Sequence, residues 1–248
     1  MTLRMHHFLP CSRANGPGLR AVIWVQGCSL GCPGCFNPET HAFNGGAALG
    51  VDDLFKRIET VGDSVEGLTV SGGEPFQQLR PLTALLRRVR GETRLSIIVF
   101  TGFAWEVVLR MNLSSHLPMG SDLVQLDLPM DHGLRSGDFP VAEGGRLENR
   151  AFALKSAIRN PQSEIKSGVG LEVLNYVDVL IAGRYDQAER VARGLRGSAN
   201  KTVHLLTSRY TLDDLRRVPA AEVILSPAGN ALISGIEPLQ WQTEDGGN

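Results

Sequence analysis

The sequence predicts an α/β fold built on a parallel sheet. Short apolar segments of strand type alternate with segments whose apolar residues recur at helical spacing, and glycine-rich loops follow two of the predicted strands. This alternation is typical of βαβ units, in which ligand chemistry collects in the loops after the carboxyl ends of the strands. At 248 residues, of which 42% are hydrophobic and 21% charged, the chain is predicted to form one domain, 1–248, with an ordinary core.

The predicted elements follow one another along the chain. The strands are AVIWVQ, GLTV, LSIIVF, YVDVLIAG and TVHLL, with a hairpin in EVILSPAGNALIS that turns near Gly229. The helices are VDDLFKRIETV, LRPLTALLRRVR, FAWEVVLRMNL and TLDDLRRV. The first helix has an acidic start and the second a cationic end, as the helix dipole favours.

A segment from about 114 to 170 interrupts this order. It is rich in glycine, proline and charge and shows no clean period, so we expect an insertion or long loop, with one helix at RAFALKSAI. The core is then about 18–113 and 171–236.

Charge and hydropathy restrict the partners. The chain has 25 basic and 26 acidic residues, a net charge of −1, so no nucleic acid partner is expected. No apolar run reaches the roughly 18 residues that span a bilayer, so no membrane association is expected either.

The amino terminus, predicted to be mobile with solvated His6 and His7, lacks the apolar run of a secretory signal, which predicts a cytoplasmic protein. That compartment keeps thiols reduced, so clustered cysteines there more often bind metal or catalyse than form disulfides.

Three of the four cysteines lie in the loop after the first predicted strand. Cys28, Cys32 and Cys35 are spaced C-x3-C-x2-C among glycines that let the backbone wrap and bring the sulfurs together. Thiolates are soft ligands, which leaves three possibilities. A cubane iron–sulfur cluster on three thiolates keeps one iron open, a structural zinc takes His41 or Cys11 as a fourth ligand, or the thiols bind no metal.

A second loop, SGGEP, follows the predicted strand GLTV. Gly72 and Gly73 permit close approach of the backbone to a ligand, and Glu74 offers a carboxylate to a cation. An ordinary strand-to-helix turn is the alternative. The position of Thr101, after LSIIVF and before the predicted helix FAWEVVLRMNL, suits a helix N-cap.

With these motifs the chain resembles the radical S-adenosylmethionine enzymes, in particular the branch that activates anaerobic ribonucleotide reductase and pyruvate formate-lyase. The resemblance is carried, in order, by GPGLRAVIWVQGCSLGCPGCFNPETH, TVSGGEPF, VFTGFAWEVV, YVDVLIAGRYD, LRGSANKTVHLLT and ILSPAGNALISGI. It implies a partial (βα)6-type TIM-like barrel. It also implies two cofactors, a [4Fe-4S] cluster and S-adenosylmethionine.

The resemblance assigns residues to these cofactors. Cys28, Cys32 and Cys35 hold the cluster, whose open iron takes the methionine end of S-adenosylmethionine, and the loop Ser71, Gly72, Gly73 and Glu74 binds its ammonium group. Thr101 contacts the cofactor. Because Gly34 stands where many relatives have an aromatic residue before the third cysteine, Phe36 is expected to pack against the adenine. Arg196, Ser198 and Asn200 match the branch without an assigned role, and Ala182 stands where it often carries an acid.

Three functions follow as hypotheses. The first is an activase that generates a glycyl radical on a partner enzyme, supplied with electrons by a flavodoxin- or ferredoxin-type donor. The second is a radical enzyme that modifies a peptide or small molecule. The third is a non-catalytic zinc-binding module.

Overall fold

The computed structural model describes residues 1–111, 172–225 and 229–236. The expected insertion of about 114–170, including the helix RAFALKSAI, lies outside the described residues. The strands are β1 (Thr2–Ser12), β2 (Arg20–Val25), β3 (Ala47–Gly50), β4 (Gly67–Gly72), β5 (Ser96–Phe100), β6 (Val179–Ala182), β7 (Arg190–Arg193), β8 (Arg196–Ser198), β9 (Thr202–Leu205), β10 (Ala221–Leu225) and β11 (Ala231–Gly235). The α-helices are α1 (Val51–Gly62), α2 (Leu79–Glu92), α3 (Trp105–Arg110) and α4 (Leu212–Arg216). Short 3-10 turns lie at Pro38–Thr40, Pro75–Gln78, Glu172–Tyr176 and Gln187–Glu189.

The centre of the fold is a seven-stranded mixed sheet in the order β3-β1-β2-β4-β5-β6-β9. Strands β2, β4, β5 and β6 run parallel, whereas β1, β3 and β9 pair antiparallel toward the two edges. The predicted α/β class is confirmed. The barrel is not confirmed by this sheet and stays a prediction.

The parallel strands lie inside the core. Strand β2 is buried at every position except Trp24, and β5 at every position except Phe100, which is why both read as continuous apolar runs. The apolar stripes of α1 and α2 pack on this sheet; their buried side chains are Val51, Leu54, Phe55, Ile58, Leu82, Leu85, Leu86 and Val89.

The amino terminus is a strand, so the prediction of a mobile segment was wrong. Strand β1 pairs with both β2 and β3 and buries Leu3, Met5 and Leu9. A register irregularity between Met5 and His7 breaks the alternation and leaves two successive histidines exposed. That irregularity hid the strand pattern in the sequence, while the expected exposure of His6 and His7 is observed.

Other elements match the predictions in type and differ at their ends. Helix α3 begins at Trp105, with Ala104 as its N-cap residue, and its expected end at 113 lies outside the described residues. The carboxyl-terminal hairpin is confirmed as β10–β11, in which Val223 is opposite Ile233. The hairpin β7–β8, which contains Arg196 and Ser198, was not predicted. None of the helices in the described ranges has the length and apolar character needed to cross a membrane.

Candidate active site

The predicted site residues line one cavity of about 590 Å³. They come from three separate segments: the cysteine loop after β2, which includes Phe36, the SGGEP loop at the end of β4, and Thr101 after β5. All nine face this cavity, namely Cys28, Cys32, Cys35, Phe36, Ser71, Gly72, Gly73, Glu74 and Thr101. The structure therefore brings together every residue that the sequence singled out for cluster or cofactor.

The cysteine loop is wound by glycines with positive φ. Gly27, Gly31 and Gly34 have φ values of 100°, 58° and 67°, a region that residues with a Cβ seldom adopt. The Gly27 amide donates to the Thr40 carbonyl at 2.7 Å, and the Cys35 amide donates to the Cys32 carbonyl at 3.2 Å. These turns direct the three cysteines toward the same cavity.

The three thiols are free and half-buried. Burial raises the pKa of the Cys28 thiol to about 11 and also raises the pKa of Cys35. Metal-free, these two thiols are protonated near neutral pH and are weak nucleophiles, which disfavours a catalytic thiolate. Coordination to a metal deprotonates a thiol outright, so the donor set fits a metal centre.

The spacing of the thiols bears on which metal fits. Among the described residues, no three His, Cys, Asp or Glu side chains are close enough together to hold one metal ion. A cluster of four irons gives each thiolate its own iron, so its ligands lie further apart than those of a single zinc. Of the two candidates for a fourth zinc ligand, His41 lines the cavity, whereas Cys11 is exposed on β1.

The SGGEP loop is bonded directly to the cysteine loop. The Gly73 amide donates to the Val25 carbonyl, and the Glu74 amide donates to the Gly27 carbonyl, both at 2.9 Å. A Cβ at Gly73 would lie 2.4 Å from the Gly27 carbonyl oxygen, closer than real Cβ atoms come to any neighbour. Glycine at 73 is therefore required for the two loops to meet.

The Glu74 carboxyl joins the loops after β4 and β5. It is fully buried and accepts hydrogen bonds from the Thr101 hydroxyl at 2.8 Å, the Gly102 amide at 2.7 Å and the Phe76 amide at 3.0 Å. Burial raises its pKa to about 7, although these bonds oppose the rise. Thr101 is thus a partner of Glu74, and the N-cap alternative fails because the cap residue of α3 is Ala104.

Comparison with known proteins decides the family. A family model described as a 4Fe-4S single cluster domain matches residues 14–127. The anaerobic ribonucleoside-triphosphate reductase-activating protein of Salmonella typhi is 34% identical over 107 residues, which cover 41% of this chain and 70% of that protein. The chain belongs to the radical S-adenosylmethionine activating enzymes. The cofactors of this radical enzyme are a [4Fe-4S] cluster and S-adenosylmethionine.

Two further relatives give the same family. The anaerobic ribonucleoside-triphosphate reductase-activating protein of Escherichia coli K12 is 31% identical over 107 residues, 41% of this chain and 70% of that protein. The pyruvate formate-lyase 1-activating enzyme of the same strain is 32% identical over 131 residues, 50% of this chain and 51% of that protein. The radical enzyme described here therefore spans about half the length of the second relative.

Lys201 is a site residue that the sequence did not reveal. Within the described ranges it is the only lysine or arginine that lines the cavity, and its ammonium donates to the Gly183 carbonyl at 2.8 Å. Burial lowers its pKa, against the attraction of Glu74, Cys32 and Cys35. The sequence did contain a signal for Lys201. Strand β9 is antiparallel to β6, so β9 begins at the sheet edge where β6 ends, and Lys201 immediately precedes β9.

The stretch RGSAN of this radical enzyme supports the cysteine loop from outside. The Ser198 hydroxyl accepts from the Asp186 amide at 3.2 Å, and the Asn200 amide group donates to the Arg184 carbonyl at 2.9 Å. Arg196 donates to the Ala199 carbonyl at 3.4 Å. Ser198 and Asn200 thereby fix the chain around Arg184, whose guanidinium donates to the Leu30 carbonyl.

The ring of Phe36 is packed by residues of the same region. Its centroid lies 4.8 Å from that of Tyr185, and the Arg190 guanidinium lies over the ring at 5.0 Å. A Cβ at Gly197 would lie 2.5 Å from the ring, so glycine there admits Phe36. Contact of Phe36 with adenine stays a prediction.

Proposed function

We propose that this chain reductively cleaves S-adenosylmethionine at a [4Fe-4S] cluster held by Cys28, Cys32 and Cys35, and generates a glycyl radical on a partner enzyme. The observation that carries the proposal is the common cavity, which three cysteines and the SGGEP loop line together. Three thiolates for four irons leave one iron without a protein ligand, which is the position for the methionine end of S-adenosylmethionine.

The chemistry supplied by the bound cofactors is one-electron cleavage of a sulfonium carbon–sulfur bond to give methionine and a 5′-deoxyadenosyl radical. The protein's residues bind and orient. Gly72 and Gly73 carry no Cβ, and a Cβ at Gly72 would lie 2.6 Å from backbone atoms of Val25, so glycine there lets the end of β4 pack against β2. Their carbonyls, beside the buried Glu74, suit an ammonium group.

Lys201 suits the carboxylate of the same methionine end. Only one of its three N–H donors is accounted for by the bond to the Gly183 carbonyl. A carboxylate bound beside this ammonium offsets the cost of a half-buried cation. When the Glu74 carboxyl is ionised, Glu74 and Lys201 carry the opposite charges that suit the two charged groups of one ligand.

The partner is proposed from the relatives. Two are named as activating proteins of an anaerobic ribonucleoside-triphosphate reductase and one as the activating enzyme of pyruvate formate-lyase. An activase of this type acts on a backbone glycine, which requires a cavity open to a protein segment. The cavity reaches the exposed hairpin β10–β11, whose Leu232 and Gly235 line its border.

Anaerobic reconstitution with iron and sulfide tests the ligand assignment. The wild-type protein should bind about four irons per chain and, with dithionite and S-adenosylmethionine, release 5′-deoxyadenosine. Cys32→Ala should lose both, whereas Cys11→Ala, which removes the exposed thiol on β1, should retain both. A colourless wild-type protein with stoichiometric zinc, or full turnover in Cys32→Ala, contradicts the assignment.

The activase role needs a second measurement. The reconstituted protein is mixed with an anaerobic ribonucleoside-triphosphate reductase, the kind of enzyme that two of the relatives are named for activating, and the glycyl radical signal is recorded by electron paramagnetic resonance. Formation of that signal only in the presence of S-adenosylmethionine supports the role. Cleavage of S-adenosylmethionine without any radical on the partner favours modification of a peptide or small molecule instead.

A further inference from the structure

The chain around β7 and β8 carries an excess of positive charge next to the cysteine loop. Residues 184–201 contain five basic and two acidic side chains, in a protein whose net charge is −1. Lys201 lines the cavity, and the other four basic residues form what we call the arginine face, defined by Arg184, Arg190, Arg193 and Arg196. All four are exposed or half-exposed.

The arginine face contacts the cysteine loop directly. The Arg184 guanidinium donates to the Leu30 carbonyl, and the Arg190 guanidinium lies over the Phe36 ring. The segment between these two contacts, 30–36, contains Cys32 and Cys35. The positive charge therefore lies against the part of the chain that holds two of the three thiols.

The loop itself is thin and uncharged on its outer side. Residues 28–37 include no Asp, Glu, Lys or Arg, and Gly31, Pro33 and Gly34 are exposed. Two glycines and a proline add little bulk between solvent and the thiols. Because electron transfer slows steeply with distance, this is a favourable place for a reductant to approach.

Folding of the hairpin does not account for its arginines. Arg193 and Arg196 are directly opposite each other on β7 and β8, and like charges at opposite positions destabilise a strand pair. The two turn residues, Gly194 and Leu195, have φ values of 63° and 64°, as a type I′ turn requires. Leucine is costly in that conformation.

Burial of Leu195 holds the turn in place. Its side chain is only 3% exposed and packs in a cluster with Ile98 and Val179 of the central sheet. The hairpin tip is thus anchored to the sheet, and the flanking arginines are held at fixed positions. One turn thus contains two features that destabilise the folded chain, namely the positive φ of a leucine and the repulsion between two arginines.

We propose that the arginine face is the docking surface for a small acidic protein that delivers single electrons to the cluster. The proposal rests on the proposed function, since it needs a cluster on Cys28, Cys32 and Cys35. In the step, the reduced donor loses one electron and the cluster gains it, with no bond made or broken. An acidic redox protein matches both the charge and this need, whereas another polyanion, such as a nucleic acid, supplies no electron.

Stopped-flow reduction of the reconstituted protein by a photoreduced acidic flavodoxin tests the proposal. For the wild type, the second-order rate constant should fall as NaCl is raised, because charge steering is screened. Arg193→Glu should lower the rate constant about tenfold at low salt and flatten its salt dependence. Arg57→Glu, which reverses an exposed arginine on α1, is the matched control and should behave as the wild type.

Three further measurements separate docking from damage. Arg193→Glu should keep the iron content and the dithionite-driven cleavage of S-adenosylmethionine. Its melting temperature should be no lower than that of the wild type, because the repulsion with Arg196 is removed. A wild-type rate and salt dependence in Arg193→Glu, or an equal loss in Arg57→Glu, overturns the docking surface alone. A wild-type protein without a cluster overturns the proposed function and the docking surface together.

Discussion

Raising the pH from 5.5 to 8 should destabilise the metal-free protein through one carboxyl group, that of Glu74. The group is fully buried, and burial raises its pKa from 4.5 to about 7. Below pH 4.5 the carboxyl is protonated in the folded and the unfolded chain alike. Between 4.5 and 7 the folded chain keeps the proton that the unfolded chain has released, so the free energy of unfolding falls as the pH rises through this window.

The size of the effect follows from the two pKa values. One pKa unit corresponds to about 1.4 kcal/mol, so a rise from 4.5 to about 7 is worth about 3 kcal/mol over the whole window. Between pH 5.5 and 8 the loss is about 2 kcal/mol. Three hydrogen bonds that favour the ionised form, from Phe76, Thr101 and Gly102, are already included in that pKa.

Urea unfolding of the metal-free wild type and of Glu74→Gln at several pH values measures the effect. The glutamine does not ionise, so its free energy of unfolding should lack the loss of about 2 kcal/mol that the wild type shows between pH 5.5 and 8. In Glu74→Gln the new NH2 group would face the Gly102 amide, so that two donors meet and neither is satisfied. The free energy of unfolding of this variant should therefore also be lower than that of the wild type by about 1–3 kcal/mol at every pH. Parallel pH profiles for the two proteins would refute a buried carboxyl that titrates near neutrality.

Three further predictions concern other positions, the first with a control substitution of its own. Gly73→Ala should lower both the melting temperature and the iron content after reconstitution, because its Cβ would meet the Gly27 carbonyl. Its control is Gly91→Ala in α2, where nothing lies within 4 Å of the added Cβ. That change should raise the free energy of unfolding in urea by up to about 1 kcal/mol. Arg20→Met should lower the free energy of unfolding by more than about 3 kcal/mol, since the buried guanidinium donates to three hydroxyls and three carbonyls. A decrease of less than about 1 kcal/mol would contradict this. Lys201→Met should weaken binding of S-adenosylmethionine to the reconstituted protein at least about tenfold by calorimetry, and unchanged affinity would remove Lys201 from the ligand site.

The parts of the fold that the sequence predicted depend on short-range patterns. Strands β2, β4 and β5 are apolar runs bounded by glycine or charge, and α1 and α2 repeat apolar residues at helical spacing. The convergence of the site residues could be predicted for a related reason. The loops after parallel strands meet at one edge of a sheet, so motifs after β2, β4 and β5 are brought to one cavity.

The parts that the sequence did not predict depend on partners distant in the chain. Strand β1 is fixed by pairing with β2 and β3, and its irregular register obscures the alternation. The hairpin β7–β8 forms because Leu195 is buried by the sheet in a conformation that no local pattern favours. The bonds from Thr101 and Gly102 that turn Glu74 inward also cross from one loop to the next, which its motif does not specify.

Close contacts on two sides help to determine the shape of the cysteine loop. On one side Gly73 lies against the Gly27 carbonyl, and on the other Gly197 lies against the Phe36 ring. A methyl group at 73 would meet the backbone of the loop, and one at 197 would displace the Phe36 ring, so both glycines contribute to the close fit. Small zinc modules differ, because their ligands are gathered only when the metal binds. The loop of this protein is held instead by its contacts with a large domain, and its three thiols line the same cavity.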